Sequence, residues 1–327
     1  MRNLRVGLVG LGVMGKHHAR ILANLEFVDF VGVCDPAGEF QGQAYGRKVV
    51  PHLEELIKMN LDYATVAVPT IHHLETGIML AEAGVHALIE KPLAQDIESA
   101  IKLVDAFQKS GLLGAVGYIE RFNPAIQEAK KRIEQLGTLY QVMTRRQGPF
   151  PERISDVGVI KDLATHDIDL TSWVTGQSYK SVTARMAYKS GSKNEDLVSI
   201  NANLSEGAIA THLVNWLSPL KERVTTLTGE KGAFIIDTLT ADLTFYKNGT
   251  VRNNWDEMSS FRGVTAGEVV RYAFTKKEPL RLEHENFRDA ILGKNVDFVS
   301  LGEGLKNVRT IEAIFQSAKN CETLSLD

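Results

Sequence analysis

Apolar residues follow two rhythms along the chain. Up to about residue 120, short unbroken apolar runs alternate with stretches whose apolar positions recur every three to four residues. This is the pattern of a parallel sheet whose strands are joined by crossover helices. The runs predict strands at 4–10, 28–34, 63–68, 86–90 and 113–119, with helices near 14–25, 52–59, 72–83 and 96–110. A further helix is expected over 125–136, with Asn123 as its cap and Pro124 at its first position. From Leu139 onward polar and apolar residues alternate, so 139–147, 179–190, 196–204, 207–217, 222–229, 232–237 and 241–247 read as strands of a largely antiparallel sheet with one face covered. One helix over 158–173 interrupts them, and three more near 264–277, 283–292 and 302–320 close the chain. The expected fold class is α/β: a parallel-sheet domain over 1–120, then an α+β domain over 121–327 with a large, open-faced, mainly antiparallel sheet. A bare apolar sheet face would meet water in a monomer, so a homodimer or homotetramer is expected.

The first strand runs straight into Gly10-Leu11-Gly12-Val13-Met14-Gly15 and then into a helix. Gly10 suits a tight turn, Gly12 lets backbone approach a pyrophosphate, and Gly15 lets the helix pack closely on the strand. The free N–H groups and partial positive charge of the helix N-terminus then favour phosphate. With 27 glycines in 327 residues the spacing alone is weak, but the second strand ends in Asp35, twenty residues after Gly15. A carboxylate there accepts hydrogen bonds from both ribose hydroxyls and would repel a 2′-phosphate, and no Arg or Lys follows before Arg47. The cofactor implied is NAD.

Ligands of such sheets bind beyond the carboxyl ends of the strands. After the third strand comes Val68-Pro69-Thr70-Ile71-His72-His73, where Thr70 either caps the next helix or contacts cofactor. Adjacent histidines diverge on a helix and no Cys or acid cluster adjoins them, so no metal is expected. The fourth strand ends Ile89-Glu90-Lys91-Pro92. Burial at the edge of a sheet would bring Lys91 toward neutrality and suit it to proton transfer, whereas pairing with Glu90 would leave it a plain solvated lysine. Arg121, after the fifth strand, is either a surface residue or a holder of a substrate carboxylate or phosphate. In the 158–173 helix, Asp162, His166 and Asp169 fall at i, i+4 and i+7 and share a face. Such a stripe is commonly solvated, but Asp–His at i, i+4 also fixes an imidazole for proton transfer, and a single His on that face disfavours zinc.

A net charge of −3 gives no electrostatic reason to expect nucleic acid or an anionic membrane as partner. No eighteen apolar residues run together and no secretory signal pattern is present. Two cysteines, Cys34 and Cys321, exclude a disulfide framework and point to a reducing, cytoplasmic setting.

The ordered set Gly10-x-Gly12-x-x-Gly15, Asp35, Glu90-Lys91-Pro92 and Asp162-x-x-x-His166-Asp167 resembles the Gfo/Idh/MocA oxidoreductases, named for glucose-fructose oxidoreductase and inositol 2-dehydrogenase. The resemblance spans essentially the whole chain. It implies a Rossmann domain followed by an open-faced sheet domain. It assigns Lys91 and His166 to proton handling and Asp162 to orienting substrate hydroxyls. Gly10, Gly12, Val13, Met14, Gly15, Asp35, Pro69, Thr70, His73, Glu90 and Lys91 become the cofactor-binding set. Glu120-Arg121-Phe122-Asn123-Pro124, Gly148-Pro149-Phe150-Pro151-x-Arg153 and Asn215-Trp216-x-x-Pro219 look most like the nucleotide-sugar branch, particularly UDP-N-acetylglucosamine 3-dehydrogenases, with Arg121 and Arg153 suited to a diphosphate. The substrate-binding residues implied are Lys91, Arg121, Arg153, Asp162 and His166. The alternatives are a free-sugar or inositol dehydrogenase and a non-catalytic NAD-binding regulator.

Overall fold

Leu4–Val9 (β1) is buried at five of its six positions, as a strand covered on both faces must be. In the computed structural model, which describes residues 3–39, 42–151, 157–249 and 267–326, β1 lies inside a six-stranded, wholly parallel sheet. Its companions are β2 (Val28–Cys34), β3 (Lys48–Val50), β4 (Tyr63–Val66), β5 (His86–Glu90) and β6 (Gly114–Gly117), in the order β3-β2-β1-β4-β5-β6. The helices α1 (Val13–Leu22), α2 (Leu53–Ile57), α3 (His73–Glu82) and α4 (Ile97–Lys109) fall within the stretches predicted from periodicity, apart from Val13 at the start of α1. The order reverses between β1 and β4, so Gly10, Asp35 and Lys91 all follow strands that end at one edge of the sheet.

Among the described residues the second sheet has nine strands, ordered β14-β13-β12-β11-β7-β10-β9-β8-β15. They are β7 (Leu139–Gln147), β8 (Tyr179–Ala187), β9 (Leu197–Leu204), β10 (Ile209–Asn215), β11 (Glu222–Gly229), β12 (Gly232–Asp237), β13 (Asp242–Lys247), β14 (Val269–Arg271) and β15 (Thr323–Ser325). Only β7 and β10 pair in parallel. Helix α5 (Pro124–Lys131) packs on β12 and β13, and α6 (Thr165–Thr175) on β7. Asn123 caps α5 through the Ala125 N–H at 3.0 Å, with Pro124 at the first helical position. The covered core holds a polar chain, Thr144–His212–Tyr179, at 2.8 and 3.0 Å, and burial pushes the His212 imidazole down to about 3.

Two expectations are corrected and two short strands are added. The helix over 264–277 is absent from its described part: Val269–Arg271 is a strand on β13, because Val270, Tyr272 and Phe274 alternate at period two. Its first residues, 264–266, lie outside the described residues. The short strands β3 and β15 carried too few residues to register as runs. Finally, the second domain is not continuous. The chain divides into Met1–Ile119 with Glu278–Arg309, and Glu120–Lys277 with Thr310–Asp327. The returning segment begins with α7 (Pro279–Ile291), whose Phe287 stands edge-on to Tyr63 at 5.5 Å, and Ser300 bridges to Ala115. An amphipathic helix carries no mark in its sequence of which core it will join. Among the described residues no helix is long and apolar enough to cross a membrane.

Candidate functional site

The glycine turn is built by close approach of backbone. Gly10 has a positive φ of 92°, and a Cβ there would meet the Ala67 carbonyl at 2.6 Å. At Gly15 a Cβ would stand 2.1 Å from the Gly10 carbonyl, so only glycine lets α1 start this close to β1. At Gly12 the same Cβ meets nothing within 4 Å, which leaves the backbone open to a ligand. Gly12 is also the N-cap of α1, with no side chain capping it and no acid in the first turn, while Val13 is half exposed and Met14 partly so. Helix N–H groups are thus left for an anion. Asp35 accepts from the Leu11 N–H at 2.7 Å and the Ala37 N–H at 2.9 Å, one on each oxygen, which fixes the carboxylate beside the turn with lone pairs to spare for hydroxyls. This set fits a dinucleotide.

Beyond β4, Pro69 is exposed and Thr70 opens a short 3₁₀ turn without capping it by its side chain. His73, expected at the cofactor, is instead buried at 1% exposure as a bracket: Nδ1 faces the carbonyls of Pro92 and Leu93 at 3.0 and 3.2 Å, and Nε2 that of Val68 at 3.1 Å. It ties the loop after β4 to the loop after β5. Burial pushes its pKa down. Lys91 is half-buried, and the peptide to Pro92 is cis. Glu90 turns inward rather than toward solvent. Its Oε2 accepts the Lys91 N–H at 3.1 Å and its Oε1 lies 2.8 Å from His18 Nε2, whose Nδ1 in turn lies 2.8 Å from Nε2 of buried His284. Burial pushes the Glu90 carboxyl up, but His18 and Lys91 outweigh it and hold it below the usual range. Neither His18 nor His284 carried a sequence signal beyond its residue type.

In the second unit, the Asp162 segment is a π-helical turn, Ile160–Ala164, that leads into α6, a local geometry often met at functional sites. Glu195, which no motif marked, caps it: Oε1 accepts the Ile160 N–H at 3.1 Å and its carbonyl accepts the Val159 N–H at 2.9 Å. A Cβ at Gly158 would stand 2.1 Å from that carboxylate. Asp162 is half-buried and His166 is buried. Of the two readings of the Asp162, His166 and Asp169 face, the solvated one does not hold, for His166 and Asp169 are buried, as is Asp167 beside them. Arg121 donates to Asp169 from Nε at 2.7 Å and Nη2 at 2.6 Å, and is itself buried. Its expected diphosphate role thus gives way to holding α6, because a buried carboxylate needs a cation. Arg146 donates to Asp167 at 2.9 Å and Glu120 at 2.8 Å. Burial opposes its charge, but the two carboxylates outweigh that and keep it firmly protonated. The Gly148-Pro149-Phe150 and Asn215-Trp216 motifs meet: the Gly148 N–H donates to the Asn215 carbonyl at 3.2 Å and Phe150 stands edge-on to Trp216 at 5.5 Å. Arg153 lies outside the described residues.

Two tests follow from these contacts. Gly12→Ala is expected to leave Tm unchanged while weakening NAD binding about tenfold, whereas Gly15→Ala lowers Tm by driving its Cβ into the Gly10 carbonyl; calorimetric NAD titration and thermal melts read both. Arg121→Leu strands buried Asp169 and costs about 3–5 kcal/mol, most of it recovered in Arg121→Leu with Asp169→Leu. Urea denaturation decides, and a loss of substrate affinity without loss of stability would return Arg121 to the substrate.

Residues 4–118 match the oxidoreductase family with an NAD-binding Rossmann fold, and residues 126–235 match the GFO/IDH/MocA C-terminal domain. The chain is 26% identical over 319 residues to a UDP-N-acetylglucosamine 3-dehydrogenase of Acidithiobacillus ferrooxidans, covering 97% of this chain and 96% of that one. A solved structure of that relative aligns at TM-score 0.85 with 24% identity, covering 98% of this chain and 99% of the other. The WlbA dehydrogenase from Bordetella pertussis, solved in complex with NADH and UDP-GlcNAcA, aligns at TM-score 0.84 with 24% identity over 100% of this chain and 98% of its own. An inositol 2-dehydrogenase of Saccharopolyspora erythraea is 32% identical over 194 residues, 56% of this chain and 57% of its own. With both halves matched and a glycine turn shaped for a dinucleotide, the chain belongs to the Gfo/Idh/MocA family of NAD-binding oxidoreductases.

Proposed function

We propose that the protein is an NAD-dependent dehydrogenase that oxidises a secondary hydroxyl of a nucleotide sugar, with UDP-N-acetylglucosamine and its 3-keto product as the first choice. The observation that carries this reading is the similarity along the whole chain to a UDP-N-acetylglucosamine 3-dehydrogenase, in a protein that also has Lys91, Asp162 and His166. NAD, held at Gly10, Gly12, Gly15 and Asp35, supplies the two-electron acceptor when bound. The residues of the chain handle the proton. Lys91 or His166 takes the hydroxyl proton as the C–H hydrogen departs as hydride, and Asp162 orients the sugar hydroxyls. Glu195 and the Asp167 and Asp169 ion pairs fix the turn that bears Asp162 and His166, so the chemistry stands on a rigid support.

Purified protein with NAD and, separately, UDP-N-acetylglucosamine, glucose and myo-inositol tests it. NADH formation only with the UDP-sugar, with product lighter by about two mass units, is expected. Reaction with the free polyols instead moves the protein to the free-sugar or inositol branch. Lys91→Ala is expected to abolish turnover while NAD still binds, and a regulator would be indifferent to it.

The second sheet's uncovered face carries Met143, Ile209, Ile235 and Tyr246, each more than a third exposed, and Met143 and Ile235 both lie opposite Thr226. We infer that a second copy of this chain covers it. Light scattering should give at least a dimer for the wild type and a smaller particle for Ile235→Glu; a monomeric wild type would sink the idea.

A further inference from the structure

Two arginines face each other across β7 and β11. Arg146 and Arg223 are direct register partners, and both alternate in phase with buried residues, Thr144 on β7 and Thr225 and Leu227 on β11. They therefore lie on the covered face of the sheet. Like charges placed opposite one another destabilise an antiparallel pair unless each is answered. Arg146 is answered by Asp167 and Glu120. Arg223 is not: its Nη1 donates to the carbonyls of Gln147 at 3.0 Å and Glu222 at 2.9 Å, and among the described residues it has no carboxylate at ion-pair distance. Neighbouring Glu222 is committed elsewhere, to Arg145 at 2.7 Å and to the Gln147 amide at 2.5 Å.

The two carbonyls anchor one nitrogen of the guanidinium and so fix the direction of the fork. Burial first, and then the charge of Arg146, push its pKa down, against the pull of Asp167, Glu120 and Asp162. The side chain is thus half-buried, oriented, short of an anion, and near enough to Asp162 to feel its charge.

We propose that Arg223 grips an anionic group of the substrate, a phosphoryl or a carboxylate, and is the residue by which the protein selects a charged sugar over a neutral polyol. The inference rests on the dehydrogenase reading and deepens it. A planar guanidinium matches both anions with two parallel hydrogen bonds. An uncharged sugar offers no such partner and would leave Arg223 without an ion pair among the described residues. In this role Arg223 replaces Arg121, which Asp169 occupies.

The test uses the full chain saturated with NAD, so that the glycine turn is filled. UDP-N-acetylglucosamine, its uronic acid and uncharged myo-inositol are titrated by calorimetry into wild type and Arg223→Gln. Arg223→Gln should bind the charged sugars at least about tenfold more weakly, with NAD affinity and any inositol affinity unchanged and Tm equal or higher. Weakening toward both UDP-sugars identifies a phosphoryl; weakening toward the uronic acid alone identifies a carboxylate. Unchanged affinities, or a lowered Tm with equal loss for every ligand, overturn the proposal and make Arg223 structural. If wild type binds neither UDP-sugar, the nucleotide-sugar reading fails on its own account. Pyrophosphate and glucuronate then decide: binding to wild type that Arg223→Gln loses upholds the anion grip, and no binding to wild type ends it.

Discussion

Burying a charge is costly unless a partner is buried with it, and both units of this protein are arranged to meet that constraint. In the second unit, α6 carries two aspartates almost wholly out of solvent, and each has drawn an arginine inward: Arg121 from the turn before α5, Arg146 from β7. These pairs lock the helix to the sheet and to α5, so the turn that bears Asp162 and the position of His166 follow from them. In the first unit Glu90, buried behind Lys91, is matched by His18, which is matched in turn by His284 from the returning helix α7. The residues proposed to handle the proton are thus held by polar contacts that leave little freedom.

The glycine turn answers a different constraint, that of space. Backbone meets backbone at Gly10, Gly15 and Ala67 so closely that no side chain fits, while at Gly12 the chain is bare. Close approach on one side and openness on the other let the N-terminus of α1 present its N–H groups to an anion. Asp35 accepts the Leu11 N–H inside that turn, so its carboxylate shapes the loop and still has lone pairs to spare.

A polar residue in a motif thus has two possible employments, and burial decides between them. His73 and Arg121 are positioned by the sequence as ligand contacts, and both spend their hydrogen bonds on the protein itself. Arg223 and Glu195 lie outside every recognised motif, yet their surroundings give them tasks, one for want of an anion and the other by capping the π-helical turn.

Local pattern alone gives the strand and helix order up to about residue 120 apart from β3, most strands of the second unit, the glycine turn with Asp35, and the Asn123 cap with Pro124 after it. Each of these rests on local physics: side-chain period, φ preference, or a side chain bonding its own backbone within a few residues. Only the tertiary structure decided that α7 returns to the first core, that 269–271 pairs as a strand, that a remote Glu195 caps the Asp162 turn, and which arginines are spent on buried aspartates. Those depend on partners tens to hundreds of residues away. A charged residue looks the same in sequence whether a carboxylate, solvent or a ligand waits opposite it.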